Sequence, residues 1–154
     1  MKLAYKNFPH LRKDFCICDA HMDAISFSTG SIRFVFSKGL SKVTCDEVET
    51  EGKGYIELMD CDAEEFSCYF VQREPTSAGA QIYGKPISLV ELANMLSSEE
   101  SKIEIFLELY DFNYLHWRGV LLPHKNGNLS NHIIIETSGR FTMICCWDDF
   151  ADKK

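Results

Sequence analysis

KIEIFLELY, Lys102 to Tyr110, alternates Ile103, Ile105, Leu107 and Leu109 with Lys102, Glu104, Phe106, Glu108 and Tyr110. A period of two puts successive side chains on opposite faces of an extended chain, so the segment reads as a strand with one apolar face. The same period recurs on both sides of it. Downstream, YLHWRGVLL sets Leu115, Trp117, Gly119 and Leu121 against Tyr114, His116, Arg118 and Val120, and HIIIE and FTMICCW flank the turn Thr137-Ser138-Gly139-Arg140. Upstream, AISFS and SIRFVF meet at Thr29-Gly30, which reads as a hairpin. GYIELMDC and FSCYFVQ read as a second pair, joined by the charged turn Asp60 to Glu65.

A single helix interrupts the pattern. Ser88-Leu89-Val90-Glu91 has the form of a capping box, and Leu89, Leu92, Ala93 and Leu96 follow at the spacing of one apolar stripe. The stripe predicts a helix near residues 89–97, packed on a sheet face. Residues 72–86, QREPTSAGAQIYGKP, carry two prolines and two glycines and read as a long loop. The connections are mostly too short for parallel crossovers. The expected fold is therefore α+β, mainly β: an antiparallel sandwich or half-open barrel of about eight strands. With 154 residues it forms a single domain, 1–154, with residues 1–14 and 149–154 as mobile ends.

Composition narrows the function. The chain is 45% hydrophobic and 25% charged, with 16 basic and 23 acidic side chains for a net charge of −7. Such a surface repels a phosphate backbone, so no nucleic acid is expected as a partner, whereas a basic protein would be drawn in. No apolar run is long enough to span a membrane as a helix, and MKLAYKNFPHLRKDF lacks the apolar stretch of a secretory signal. The seven cysteines, at 16, 18, 45, 61, 68, 145 and 146, form no C-x-x-C pair and read as free thiols in a reducing cytoplasm. Cys68 and Cys145 fall within apolar strand patterns and read as small hydrophobes.

Three groups of residues are candidates for a site. Asp19, His21 and Asp23 would share one face of a strand, where a carboxylate could orient the imidazole; this is the polar site of a ligand-binding or hydrolytic reading. Cys16 and Cys18 would face the other way, which separates them from His21 and argues against a local metal site; neither metal nor cofactor is expected. Tyr110, Tyr114, Trp117 and Arg118 concentrate the residue types that dominate binding energies, and form a candidate surface patch for a protein partner. Asp46, Glu47 and Glu49 form an acidic loop, and 60–65 another, that would meet a basic partner. Glu104, Glu108, Asp111 and Glu136 read as solvent-facing acids of alternating strands. No nucleophile elbow and no phosphate-binding loop occurs, so the chain reads as non-enzymatic.

Asp19-Ala20-His21 ahead of a hairpin with Ile32-x-Phe34-x-Phe36-x-x-Gly39 resembles the start of small stand-alone bacterial β-rich domains of unassigned function. The segments EIFLELYDF and WRG and the aromatic terminal strand continue the likeness. In size, acidity and β content the chain is also similar in type to the immunity proteins that accompany bacterial polymorphic toxins. That resemblance implies binding to another protein, a basic toxin domain, in the cytoplasm; a homodimer using the aromatic hairpin as its interface is the remaining reading.

Overall fold

The computed structural model describes residues 2–6, 15–44, 47–98, 100–111, 113–123 and 131–149. Among the described residues, eleven strands form one antiparallel sheet that does not close on itself. They are β1 (Lys2–Lys6), β2 (Phe15–Cys16), β3 (His21–Ser28), β4 (Ser31–Thr44), β5 (Glu47–Met59), β6 (Phe66–Thr76), β7 (Gly79–Ile87), β8 (Lys102–Asp111), β9 (Tyr114–Leu122), β10 (His132–Ser138) and β11 (Thr142–Asp149). Among the described residues the one α-helix, α1, is Leu89–Leu96. The order across the sheet is β1-β11-β5-β4-β3-β8-β9-β10-β6-β7, with β2 paired to β4 off this path.

The sheet bends so that its two halves face each other across the core. Phe34 on β4 stacks edge-on against Trp117 on β9, with centroids 5.0 Å apart, and also meets Phe66 on β6 at 5.8 Å. Those strands are far apart along the hydrogen-bonded order, so only a folded-over sheet can bring their rings together. The seam is narrow: His21 pairs with Glu104 and Met22 with Ile103. Two backbone bonds extend it, Asp19 N–H to Ile105 O at 2.6 Å and Ile105 N–H to Ala20 O at 2.9 Å. Gly39 lets β4 pack closely on the Asp19–Ala20 segment of this seam. Its φ is +80°, and a Cβ there would lie 2.4 Å from the Ala20 Cα.

Helix α1 forms as its capping box requires. Ser88 Oγ accepts from the Glu91 amide at 3.1 Å, and the Glu91 carboxylate accepts from the Ser88 amide at 2.8 Å. Leu89, Leu92 and Leu96 are buried and seat the helix against the sheet. The hairpin at Thr29-Gly30 forms between β3 and β4, with Gly30 at φ +67°.

Several expectations are corrected. Among the described residues the strands number eleven, not about eight. Residues 72–86 are not a loop: β6 and β7 pair continuously from Cys68↔Ile87 to Thr76↔Gly79. The prolines are tolerated because each sits where its strand has a free flank. β10 pairs with β6 only from Phe66 to Phe70, which leaves Pro75 beyond it, and Pro86 is on β7, the last strand of the sheet. GYIELMDC and FSCYFVQ do not pair with each other. β5 lies between β4 and β11, β6 lies between β10 and β7, and Asp60 to Glu65 carries the chain from one half to the other through a 3-10 turn, Ala63–Glu65. Lys2–Lys6 is an edge strand on β11 rather than part of a loose end; residues 7–14 and 150–154 lie outside the described residues.

Candidate binding face

The phase of β8 decides which residues reach the outside. Its alternation starts as the sequence predicts, with Ile103 and Ile105 buried, but the pairing with β9 shifts between Ile105 and Leu107. One extra residue reverses the faces of everything after it. Phe106 is exposed, at 44%, as the alternation predicts; beyond the shift Leu109 is exposed, at 51%, while Glu108 is buried at 3%. Leu109 was expected on the apolar face and Glu108 in solvent; the bulge exchanges them.

The expected aromatic patch is divided by the same geometry. Trp117 is wholly buried against Phe34 and Phe36, so it is not a surface contact residue. Its indole N–H donates to Tyr110 Oη at 3.1 Å, and the Tyr110 hydroxyl donates to Glu108 Oε2 at 2.8 Å. Tyr114 and Arg118 remain on the outer face, since alternate residues of β9 face outward.

On that outer face a polar chain crosses three strands. His116 and Glu136 sit opposite each other on β9 and β10, and His116 Nδ1 lies 2.9 Å from Glu136 Oε2. Tyr114 donates its hydroxyl to the same carboxylate oxygen at 2.9 Å, and Tyr69 on β6 donates to Glu136 Oε1. Arg118 Nε–H donates to His116 Nε2 at 3.1 Å. That bond requires a lone pair on Nε2, so the imidazole is neutral and carries its proton on Nδ1, which donates to Glu136. Burial, and then the Arg118 charge, hold His116 below its ordinary pKa, in agreement with this tautomer.

The outcome is a cation fixed by its neighbours beside an apolar hollow. Arg118 lines a groove of about 670 Å³ with Tyr69, Val71, Gly84, Phe106, His132 and Ile134. Phe106 stacks edge-on with His132 at 5.7 Å. A Cβ at Gly84 would come within 3.3 Å of the Tyr69 Cβ, so glycine keeps that wall of the groove clear. The walls offer apolar contact and the Arg118 guanidinium a charge, a combination suited to an apolar group next to a carboxylate.

The other candidates separate. Asp19 is exposed, at φ +66° in the turn before β3, and Asp23 accepts from the Ser37 amide at 2.6 Å. His21 Nε2 lies 4.0 Å from Glu104, and burial, with Lys102 and Lys38 next, lowers its pKa. Asp23 and His21 thus differ in their nearest hydrogen-bond or ion-pair partner, Asp23 still acts on the His21 charge, and the pairing of β3 shifts at His21/Met22 and again at Met22/Ala24. Asp46 lies outside the described residues, and of Glu47 and Glu49 the backbone alone is described. The second acidic turn is exposed at Asp60, Asp62, Glu64 and Glu65.

Sequence reasoning missed Tyr69, and it set His116 beside Asp19, His21 and Asp23 and Glu136 in solvent rather than pairing the two. A usable signal existed for the pair: in an antiparallel hairpin, His116 and Glu136 fall opposite each other once the pairing of the late strands is set. Among the described residues, no helix is long and apolar enough to cross a membrane. No family model matches the chain, and neither a curated protein nor a solved structure matches it.

Proposed function

We propose that this chain is a non-enzymatic protein-binding domain whose docking face is the outer surface of β8, β9, β10 and β6. The observation that carries this reading is Arg118, held by His116 and Glu136 at the rim of an apolar groove that exposed Phe106 lines, with exposed Leu109, on the same strand as Phe106, paired to His116. Exposed large apolar residues beside a pre-positioned arginine have the composition of an interaction hot spot. The net charge of −7 and the exposed turn Asp60 to Glu65 would steer a basic partner toward the molecule. The concrete form of the proposal is an immunity-like inhibitor of a bacterial toxin domain, acting in the cytoplasm, where its thiols stay reduced.

Coexpression with the product of the adjacent gene tests it. A toxicity that this chain relieves, together with co-purification of the pair, is the expected result. Arg118→Glu combined with Phe106→Asp should abolish both, since both side chains are exposed and their loss leaves the core intact. Reversing the charges of Asp60, Asp62 and Glu64 should slow association with a smaller effect on lifetime. The absence of both toxicity and a complex would sink the inhibitor reading. The groove volume also lies in the range of small-molecule sites, about 300–1,000 Å³. A thermal shift with anionic small molecules, lost in Arg118→Ala, would move the assignment there. A concentration-dependent dimer in sedimentation, broken by Phe106→Asp, would identify a second copy of the chain as the occupant.

A further inference from the structure

Cys16, Cys18 and Glu108 meet because of two backbone irregularities. β2 is tied to β4 through Phe15↔Lys42 and Cys16↔Ser41, and the chain then turns tightly, with Ala20 N–H bonded to Ile17 O at 3.0 Å. The turn is fastened to β8 through Asp19 and Ile105, immediately before the bulge that rotates Glu108 inward. As a result the two Sγ atoms and a carboxylate oxygen of Glu108 all lie within 4.8 Å of one another. Among the described residues this is the group of three such side chains whose ligand atoms converge so closely.

Hydrogen-bond donors reach two of the three groups. The Cys18 amide donates to Cys16 Sγ at 3.4 Å, the Ile17 amide to Glu108 Oε1 at 3.3 Å, and the Tyr110 hydroxyl to Glu108 Oε2. Two sulfurs and a carboxylate oxygen converging at this spacing make a donor set suited to a thiophilic divalent cation.

We propose that Cys16, Cys18 and Glu108 are the three protein ligands of a zinc site at the junction of β2, the 17–20 turn and the β8 bulge. Tetrahedral zinc with sulfur at roughly 2.3 Å and oxygen at roughly 2.1 Å sets its ligand atoms roughly 3.6–3.8 Å apart, so the cluster needs to contract by about 1 Å at its widest. Two thiolates select a thiophilic ion over calcium or magnesium. Cys16 and Cys18 are both half-buried, so solvent reaches the site and a water can take the fourth position. The balance is simple: the ion replaces the thiol protons of Cys16 and Cys18, which leave to solvent, and the carboxylate of Glu108 binds as it stands.

Titration of the reduced full-length protein with Cd²⁺, followed by thiolate-to-metal absorption in the ultraviolet, tests the proposal. The expected result is saturation at one equivalent, competition by Zn²⁺, and release of two protons for each ion bound. Cys18→Ser should abolish the high-affinity phase, and Glu108→Gln should weaken it by at least about tenfold. Cys146→Ser, which changes a half-buried thiol on β11, should leave the titration unchanged. Cys18 is not a core residue, so unchanged circular dichroism of its serine variant separates ligand loss from unfolding. The proposal is overturned by a Cd²⁺ signal that survives in Cys18→Ser, by no stoichiometric signal at all, or by a Cys16–Cys18 disulfide as the stable state of the pair under mild reduction.

Discussion

The inner and outer faces of β8 and β9 carry the same kinds of residue with opposite outcomes. Inside, Trp117, Tyr110 and Glu108 form a line of hydrogen bonds whose members pack into the core. Outside, Tyr69, Tyr114, His116 and Glu136 form a comparable line that ends on Arg118 at the groove. The inner line ends on a carboxylate within the protein and the outer line ends on a cation facing solvent. A polar network satisfied within a core fixes packing, whereas one that holds a charged group at a surface prepares it to meet something else. Changes in the inner line should therefore register as stability, and changes at the end of the outer line as binding.

Trp117→Ala tests the inner side most severely. The indole lies between Phe34 and Phe36 and donates to Tyr110, so its removal leaves both a large cavity and a lost bond. A loss of about 3–5 kcal/mol is expected in urea unfolding, of the size found for large aromatic-to-alanine changes in cores. A loss below about 1 kcal/mol, within the range of surface substitutions, would return Trp117 to the surface patch read from the sequence.

That patch shows what was legible and what was not. Trp117 and Arg118 are consecutive in a strand, so alternation alone assigns them to opposite faces. The reading of one cluster from Tyr110 to Arg118 gave composition more weight than period. The capping box of α1 and the Thr29-Gly30 turn were legible because they depend on neighbours within a few residues. The bulge at Phe106 was not, since the sequence KIEIFLELY alternates without a break and the shift arises from pairing with Gly119 and Arg118 of β9. Gly119 itself marks the place: a Cβ there would lie 2.7 Å from the Glu104 carbonyl oxygen, so the strands can approach this closely only at glycine. The prolines at 75 and 86 were misread as loop signals because strand edges are defined by long-range order, which local punctuation does not report. The Cys16–Cys18–Glu108 group needs both the bulge and the turn before β3, and neither has a local signature.

Tyr110→Phe makes a smaller and more selective break. Burial, then the Glu108 charge, hold the Tyr110 hydroxyl well above the ordinary phenol pKa, so it stays protonated and donates to Glu108 while accepting from Trp117. Removing one oxygen keeps the shape and deprives both neighbours of a partner. The expected loss is about 1–3 kcal/mol, the usual consequence of stranding buried polar groups. It should be non-additive with Trp117→Ala, which a double-mutant cycle would show. Full additivity would mean that the two side chains contribute independently and that the inner line is not a unit.

The outer line yields the smallest effect, and it is one of pH rather than of size. His116 is neutral in the fold, with burial and Arg118 lowering its pKa from the ordinary 6.5, and with Glu136 and Tyr114 also facing its ring. The unfolded chain takes up its proton at the ordinary value and the folded chain resists until a lower pH. Between the two the unfolded state binds more protons, so stability falls as the solution is acidified and levels off below the folded value. His21, lowered by burial and by Lys102 and Lys38, contributes in the same direction, which makes the total pH dependence uninformative about either residue. The difference between the native chain and His116→Gln isolates one of them. Urea midpoints measured from about pH 7.5 down to about pH 5 should fall less steeply in the variant, whatever its stability at neutral pH. A steeper fall in the variant would mean that His116 is favoured as the cation by Glu136. The bond from Arg118 to Nε2 would then not exist, and the arginine at the groove would be free to swing rather than held in place.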